Sequence, residues 1–225
     1  MVGYVYPPVN QKIFKPNSPD NDKFTVLILG KLEPRKRIYE TLIWAMVALA
    51  GKQARIILKT SGNAIVETIK KIKSRRELQR LKLPEVALYE QKLSDKEIAL
   101  LHQNADLTLM LTHGEGFGYP AAQAVFCKQP VLCTDGSALP EVVGQNPELL
   151  VKASLAPILF SGYELFYAPM KWYYPDIEDS INKIENFYNM WASGKPYDMT
   201  DTYEYGLQNY TPESSAKKML EVLNA

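Results

Sequence analysis

Between Thr25 and Thr134 the chain alternates short apolar runs of strand length with longer stretches of helical periodicity. Strand-like runs fall at Thr25–Leu29, Arg55–Lys59, Val86–Tyr89, from Leu107 to Leu111, and at Val131–Thr134. Helical patterns lie between them, at about Ile38–Ala50, Ala64–Lys82, Asp95–Gln103 and after Pro120. Strands joined through helices of this length make right-handed βαβ crossovers and a parallel sheet covered on both faces. The expected fold is therefore α/β, a doubly wound parallel sheet.

The flanks depart from that rhythm. Residues 1–22 are rich in Pro, Asn and Asp, and Tyr6-Pro7-Pro8 and Phe14-Lys15-Pro16 force extended backbone, so this segment reads as a hinge or linker outside the core. Residues 23–225 read as one domain. Beyond Leu150 an aromatic-rich loop is expected around Phe160–Trp172, followed by three helices. One starts at Pro175, with Asp176, Glu178 and Asp179 suiting the dipole of its first turn. The last starts at Thr211-Pro212-Glu213 and carries an apolar stripe of Ala216, Met219, Leu220 and Leu223.

With 225 residues, 46% of them hydrophobic, the chain can bury one large core. Its net charge of +1 gives no bulk attraction to nucleic acid or membrane. No apolar run approaches the roughly 20 residues of a bilayer span, and no signal segment opens the chain. A soluble cytoplasmic protein is expected, with peripheral membrane contact as the variant. The strongest local charge is on the helix from Ala64 to Lys82, which holds Lys70, Lys71, Lys73, Arg75, Arg76, Arg80 and Lys82. It reads as a solvated outer face with Ile65, Ile69 and Ile72 turned inward. Cys127 and Cys133 lack metal-ligand spacing and read as buried thiols.

The residues richest in chemistry are Thr112-His113-Gly114-Glu115-Gly116-Phe117-Gly118-Tyr119-Pro120, a strand exit followed by an acid, glycines and a helix-starting proline. Ligands of open α/β sheets bind at the carboxyl ends of strands, beside helix N-termini that favour anions. A second such turn, Gly30-Lys31-Leu32-Glu33-Pro34-Arg35-Lys36-Arg37, follows the first strand. If both turns line one cleft, Lys31 and Lys36 can neutralise a diphosphate while Glu115 takes hydroxyl hydrogens. Nucleotide sugars carry both groups. Elsewhere, His102 reads as structural and Glu141 as a helix-start carboxylate.

Gly114 to Pro120, continuing through Ala124-Val125-Phe126-Cys127 to Pro130-Val131 and Pro140-Glu141-Val142-Val143-Gly144, resembles the donor-binding signature of the group 1 glycosyltransferases, retaining enzymes of the GT-B fold. Val9–Pro16 resembles the hinge into their C-terminal domain, Gly30–Lys36 their phosphate-binding turn, and Trp172 with Pro175–Glu178 their C-terminal tryptophan and helix start. The resemblance implies the Rossmann-like, donor-binding half of such an enzyme. It makes Glu115 and Lys36 the candidate catalytic residues. Lys31, Lys36, Gly116, Phe117 and Gly118 would address the donor diphosphate, Glu115 and His113 the sugar. Gln91, Lys92 and Leu93 would face the base, and Gln123 the ribose. Gln123 stands where the family has a glutamate, eight positions after Glu115; Lys31 stands for an arginine, Arg37 for a glycine, and Lys128-Gln129 for Gly-Thr.

The implied substrate is a UDP- or GDP-sugar from which a hexose passes with retention to an acceptor, without metal or other cofactor. Stabilising charge on the leaving diphosphate would supply most of the catalysis, with no acid–base pair. The N-terminal half of such enzymes has no counterpart in this sequence, so a missing domain, a partner chain or a homodimer through the last helix is expected. Two other functions share these features: a binding or assembly protein that keeps the fold without catalysis, and a nucleotide-sugar epimerase.

Overall fold

Six parallel strands carry the expected rhythm in the computed structural model, which describes residues 5–61, 65–158 and 169–224. They are β1 (Phe24–Leu29), β2 (Ala54–Lys59), β3 (Glu85–Tyr89), β4 (Leu107–Met110), β5 (Val131–Thr134) and β6 (Leu150–Val151), in the order β3-β2-β1-β4-β5-β6. The chain builds outward from β1 to β3, then returns to set β4 against the other edge of β1, with Val26 opposite Leu107 and Ile28 opposite Leu109. This reversal between β1 and β4 is a topological switch point, where the loops leaving two adjacent strands diverge to opposite faces and open a crevice.

Helices α1 (Ile38–Ala48), α2 (Ile65–Lys73), α3 (Arg76–Gln79), α4 (Asp95–Gln103), α5 (Tyr119–Phe126) and α6 (Leu139–Val142) connect the strands. Val26 and Ile28 join the main core with Leu42, Ala45 and Met46 of α1. Leu27 points the other way, with Ile57 and with Leu101 of α4. Side chains on both faces of β1 are thus apolar and buried, the mark of a doubly covered strand. Helix ends follow local chemistry. Ser94 and Glu97 form a reciprocal capping box at α4, which satisfies two otherwise free amides.

Three segments differ from their sequence reading. The single helix expected from Ala64 to Lys82 is broken: α2 ends at Lys73, Arg75 is extended, and α3 restarts at Arg76. Ala64 itself lies outside the described residues. The break separates crowded cations, since like charges on successive turns oppose one another, and it lets Leu78 enter the core beside the buried Ile65 and Ile72. The aromatic stretch expected as a loop ends instead in a strand, β8 (Lys171–Pro175), paired antiparallel with β7 (Ala153–Pro157). The rest of that expected loop, from Phe160 to residue 168, lies outside the described residues. Third, the proline-rich leader, read as lying outside the core, places Val9 and Phe14 in it. The Val9 amide donates to the Tyr210 carbonyl at 2.7 Å.

Helices α7 (Ile177–Ala192), α8 (Thr200–Asn209) and α9 (Pro212–Leu223) complete the chain. Asp176 caps α7, and Thr211 caps α9 in a box with Ser214. Helix α7 packs on α1 and α8 packs on α5. Cys127 and Cys133 are buried and free; burial pushes both thiols up, Cys127 to about 12. No helix among the described residues is long and apolar enough to cross a membrane.

Candidate functional site

Because β1 and β4 are neighbours, the turn after β1 and the glycine–acid loop after β4 leave the sheet side by side. A backbone bond ties them, from the His113 amide to the Arg35 carbonyl at 2.9 Å. Pro34–Lys36 forms a single 3-10 turn, which aims two consecutive cations at the loop. Lys36 Nζ lies 2.7 Å from each oxygen of the Glu115 carboxylate. Arg35 Nη1 lies 3.3 Å from Glu115 Oε2 and donates to the Gly114 carbonyl. The Glu115 side chain is only 6% exposed, so the pair is weakly screened. Two cations against one carboxylate leave an excess positive charge at the switch point, suited to an anionic ligand.

The loop after β5 closes one side. Its Ser137 Oγ accepts from the Glu115 amide at 3.0 Å. Glu115, Gly116 and Ser137 border two cavities. One, of about 510 Å³, is lined further by Arg35, His113, Trp172 and Tyr173. The other, of about 440 Å³, is lined by Tyr6, Pro7, Phe117, Ala138 and Glu141. Each falls within the range of about 300–1,000 Å³ typical of small-ligand sites. A larger cavity of about 580 Å³ lies away from these loops, among Pro16–Pro19, Asp106 and Trp191. It lacks the convergent cations, so chemistry and not volume places the candidate site.

His113 is the joint between the two sheets. Its Nδ1 lies 2.7 Å from the Tyr173 carbonyl, its own carbonyl accepts from the Tyr173 amide, and its ring stacks on Trp172 at 4.6 Å. A carbonyl accepts only, so Nδ1 carries the proton, and Nε2 turns its lone pair toward Arg37 Nη1 at 3.4 Å. Burial, with the Arg37 charge adding to it, holds the imidazole below its ordinary pKa despite the Tyr173 bond. The neutral ring therefore acts as a spacer between Arg37 and the β7–β8 hairpin.

The remaining predicted residues separate into groups. Lys31 is exposed in the turn after β1, outside the lining of both cavities. Phe117 packs its ring in an aromatic cluster with Tyr6, Tyr119 and Tyr210 beside the second cavity. Gly118 has φ 91°, and an added Cβ would lie 2.6 Å from Leu139 Cδ2, so no other residue fits there without strain. Gln91 and Lys92 are exposed and Leu93 is half-buried in the β3–α4 loop. They share the carboxyl edge of the sheet with Glu115 but stand beyond β2.

Gln123 is half-buried on α5, outside the lining of both cavities beside Glu115. Its amide lies near enough to His102 to favour the protonated ring, although no well-formed hydrogen bond reaches His102 Nε2. Desolvation dominates and lowers His102 to about 4. With Nδ1 3.3 Å from Thr108 Oγ1, His102 is a structural residue. Glu141 accepts from the Tyr6 hydroxyl at 2.9 Å.

Four contributors carried too little local signal to be assigned from sequence. Arg35 was hidden among its basic neighbours, although its place before Lys36 was the available clue. Ser137, Trp172 and Tyr173 reach the site only through tertiary packing. No group of acids, histidines and cysteines that could hold a metal occurs among the described residues.

The site thus lies at the switch point of a six-stranded, Rossmann-like α/β sheet, a fold shared with solved glycosyltransferases. Among solved structures, the chain is similar to Anabaena Alr3699/HepE in complex with UDP and glucose (TM-score 0.66, 18% identity, covering 98% of this chain and 56% of that one). It is also similar to the C-terminal domain of the group 1 family protein LpcC from Francisella tularensis (TM-score 0.63, 18% identity, 91% and 99%). Residues 9–157 match the family described as glycosyl transferases group 1, and the chain belongs to that family. A stretch of 56 residues is 39% identical to an MMP α-(1→4)-mannosyltransferase of Mycolicibacterium hassiacum, covering 25% of this chain and 14% of that enzyme. The chain thus spans a small part of that mannosyltransferase and about half of HepE.

Proposed function

We propose that the chain is the donor-binding, C-terminal half of a retaining glycosyltransferase that takes a hexose from a UDP- or GDP-sugar. The observation that carries this reading is the Arg35–Lys36–Glu115 cluster at the β1/β4 switch point, where cations and a hydroxyl-binding carboxylate meet beside a cavity of about 510 Å³. Lys36 and Arg35 hold the diphosphate, with Lys31 adding charge from the same turn and the Gly116–Gly118 backbone approaching closely. Glu115 accepts hydroxyl hydrogens of the sugar, and His113 positions the loop from below. Gln123 addresses the ribose and Gln91–Leu93 the base. Drawn onto the leaving diphosphate, these cations stabilise the charge that develops there. An N-terminal domain, in the same chain or another, supplies the acceptor site. The similarity to a structure holding UDP and glucose supports the donor assignment, and full coverage of a C-terminal domain supports the half-enzyme reading.

The position of Gln123 favours a second reading, a binding protein that keeps the fold without transfer. A carboxamide has one acceptor oxygen where a carboxylate would take both ribose hydroxyl hydrogens, and this amide lies toward His102. Thermal unfolding with UDP, GDP, ADP and their sugar conjugates separates the outcomes. Ligand at about a hundred times its dissociation constant adds roughly 2.7 kcal/mol, which raises Tm by about 5 to 10 °C for a domain of this size. A base-selective shift is expected; no shift with any nucleotide would remove the donor assignment.

A further inference from the structure

The α2–α3 segment concentrates charge that the Lys36–Glu115 cluster does not use. From Ile65 to Lys82 it carries seven cations against Glu67 and Glu77, a local net charge of +5 in a chain whose net charge is +1. Every one of the seven is exposed. Few have partners: Lys70 pairs with Glu67 at 2.9 Å, and Arg75 donates to the Tyr39 hydroxyl while lying over its ring. The apolar side of α2, Ile65 and Ile72, is used up in the core, so the cations are left on the outward side, where they outnumber the exposed acids seven to two. Two apolar side chains of the segment, Val66 and Leu81, are exposed as well.

We infer that this face docks on an anionic lipid bilayer. A leaflet of mobile anionic headgroups adapts to irregularly spaced lysines and arginines, and it accepts shallow apolar contacts such as Val66 and Leu81 at its boundary. A single-stranded nucleic acid would match the charge but not the composition, because the segment holds no aromatic side chain on which bases stack. None of the seven cations belongs to the candidate donor site, so the two functions are independent.

The test is co-sedimentation of the purified chain with phosphatidylcholine vesicles containing about a third phosphatidylglycerol, beside vesicles of phosphatidylcholine alone. Each cation near such a surface contributes about fivefold to partitioning, so K70E/K73E/R76E, which removes three cations and adds three repelled anions, should reduce binding by more than about a hundredfold. A control with the same charge change elsewhere, K12E/K195E/K217E, should keep most of it. Thermal unfolding checks that both variants fold. Binding to the mixed vesicles that salt weakens, and that only the α2–α3 variant loses, supports the proposal. It is overturned by equal binding to both vesicle types, by equal loss in both variants, or by retention of poly(U) in place of vesicles.

Discussion

Lys36 Nζ sits 2.7 Å from both carboxylate oxygens of Glu115, so in this structure each group satisfies the charge of the other. On the proposed donor assignment, a diphosphate would draw Lys36 away from Glu115 and free the carboxylate for sugar hydroxyls. The proposal then predicts coupled recognition of the two parts of the donor. Glu115→Gln should raise affinity for UDP or GDP without a sugar by about fivefold, because the competing charge is gone. Lys36→Ala should lower it by about ten- to a hundredfold, the loss of a charge-assisted contact of about 1.5–3 kcal/mol. Calorimetric titration of both variants checks this. Weaker binding of the bare nucleotide to Glu115→Gln would show that the carboxylate does not compete.

Two departures from the resembled family fall where the backbone is left-handed: Arg37 at φ 51° and Lys128 at φ 57°. These positions ask for glycine, since a side chain there costs on the order of 1 kcal/mol. Arg37 recovers part of that cost by stacking over Trp44 at 4.8 Å, whereas Lys128 makes no comparable contact among the described residues. Lys128→Gly should raise Tm by about 2 to 4 °C, and Arg37→Gly should give little or no gain. Thermal unfolding of the two variants side by side would reveal the difference.

Gly136 admits the Tyr173 ring, which would lie 2.3 Å from an added Cβ. Gly136→Ala must push back the hairpin that holds His113, at an overpacking cost of about 1–3 kcal/mol. A fall in Tm of about 2 to 10 °C is expected, and Gly136→Ala with Tyr173→Ala should recover part of it. Absence of any coupling between the two substitutions in a double-mutant cycle would mean that the hairpin does not press on this loop.

Burial keeps His102 neutral, with its pKa lowered from 6.5 to about 4. The unfolded chain takes up a proton near pH 6.5 that the folded chain resists. Its stabilising effect is thus complete above pH 6.5 and is lost as pH falls toward 4, by roughly 3 kcal/mol. His113 is shifted in the same direction and adds to the trend. His102→Gln should flatten the dependence of unfolding free energy on pH across this window, as read by urea titrations at several pH values.

Along α9, Met219, Leu220 and Leu223 are 53%, 61% and 74% exposed, an apolar row of the kind that marks an association surface. The chain should self-associate through it when no N-terminal domain is present. Leu220→Glu with Leu223→Glu should shift sedimentation toward the monomer without lowering Tm, since neither side chain is buried.

The strand–helix rhythm was legible in the sequence because a strand buried on both faces and an amphipathic helix each leave a periodic mark within a few residues. The placement of Lys36 and Glu115 just past strand ends was legible as well, because the glycine and proline content of their turns announces a strand exit. What the sequence could not reveal is which turns meet. Arg35 reaches Glu115, and His113 reaches Trp172 and Tyr173, only because β4 returns beside β1 and a hairpin of remote strands folds over the loop. The break in α2–α3 and the burial of Val9 and Phe14 were hidden for the same reason. Local propensity describes a segment alone, and in each of these places packing against a distant segment was the larger free-energy term.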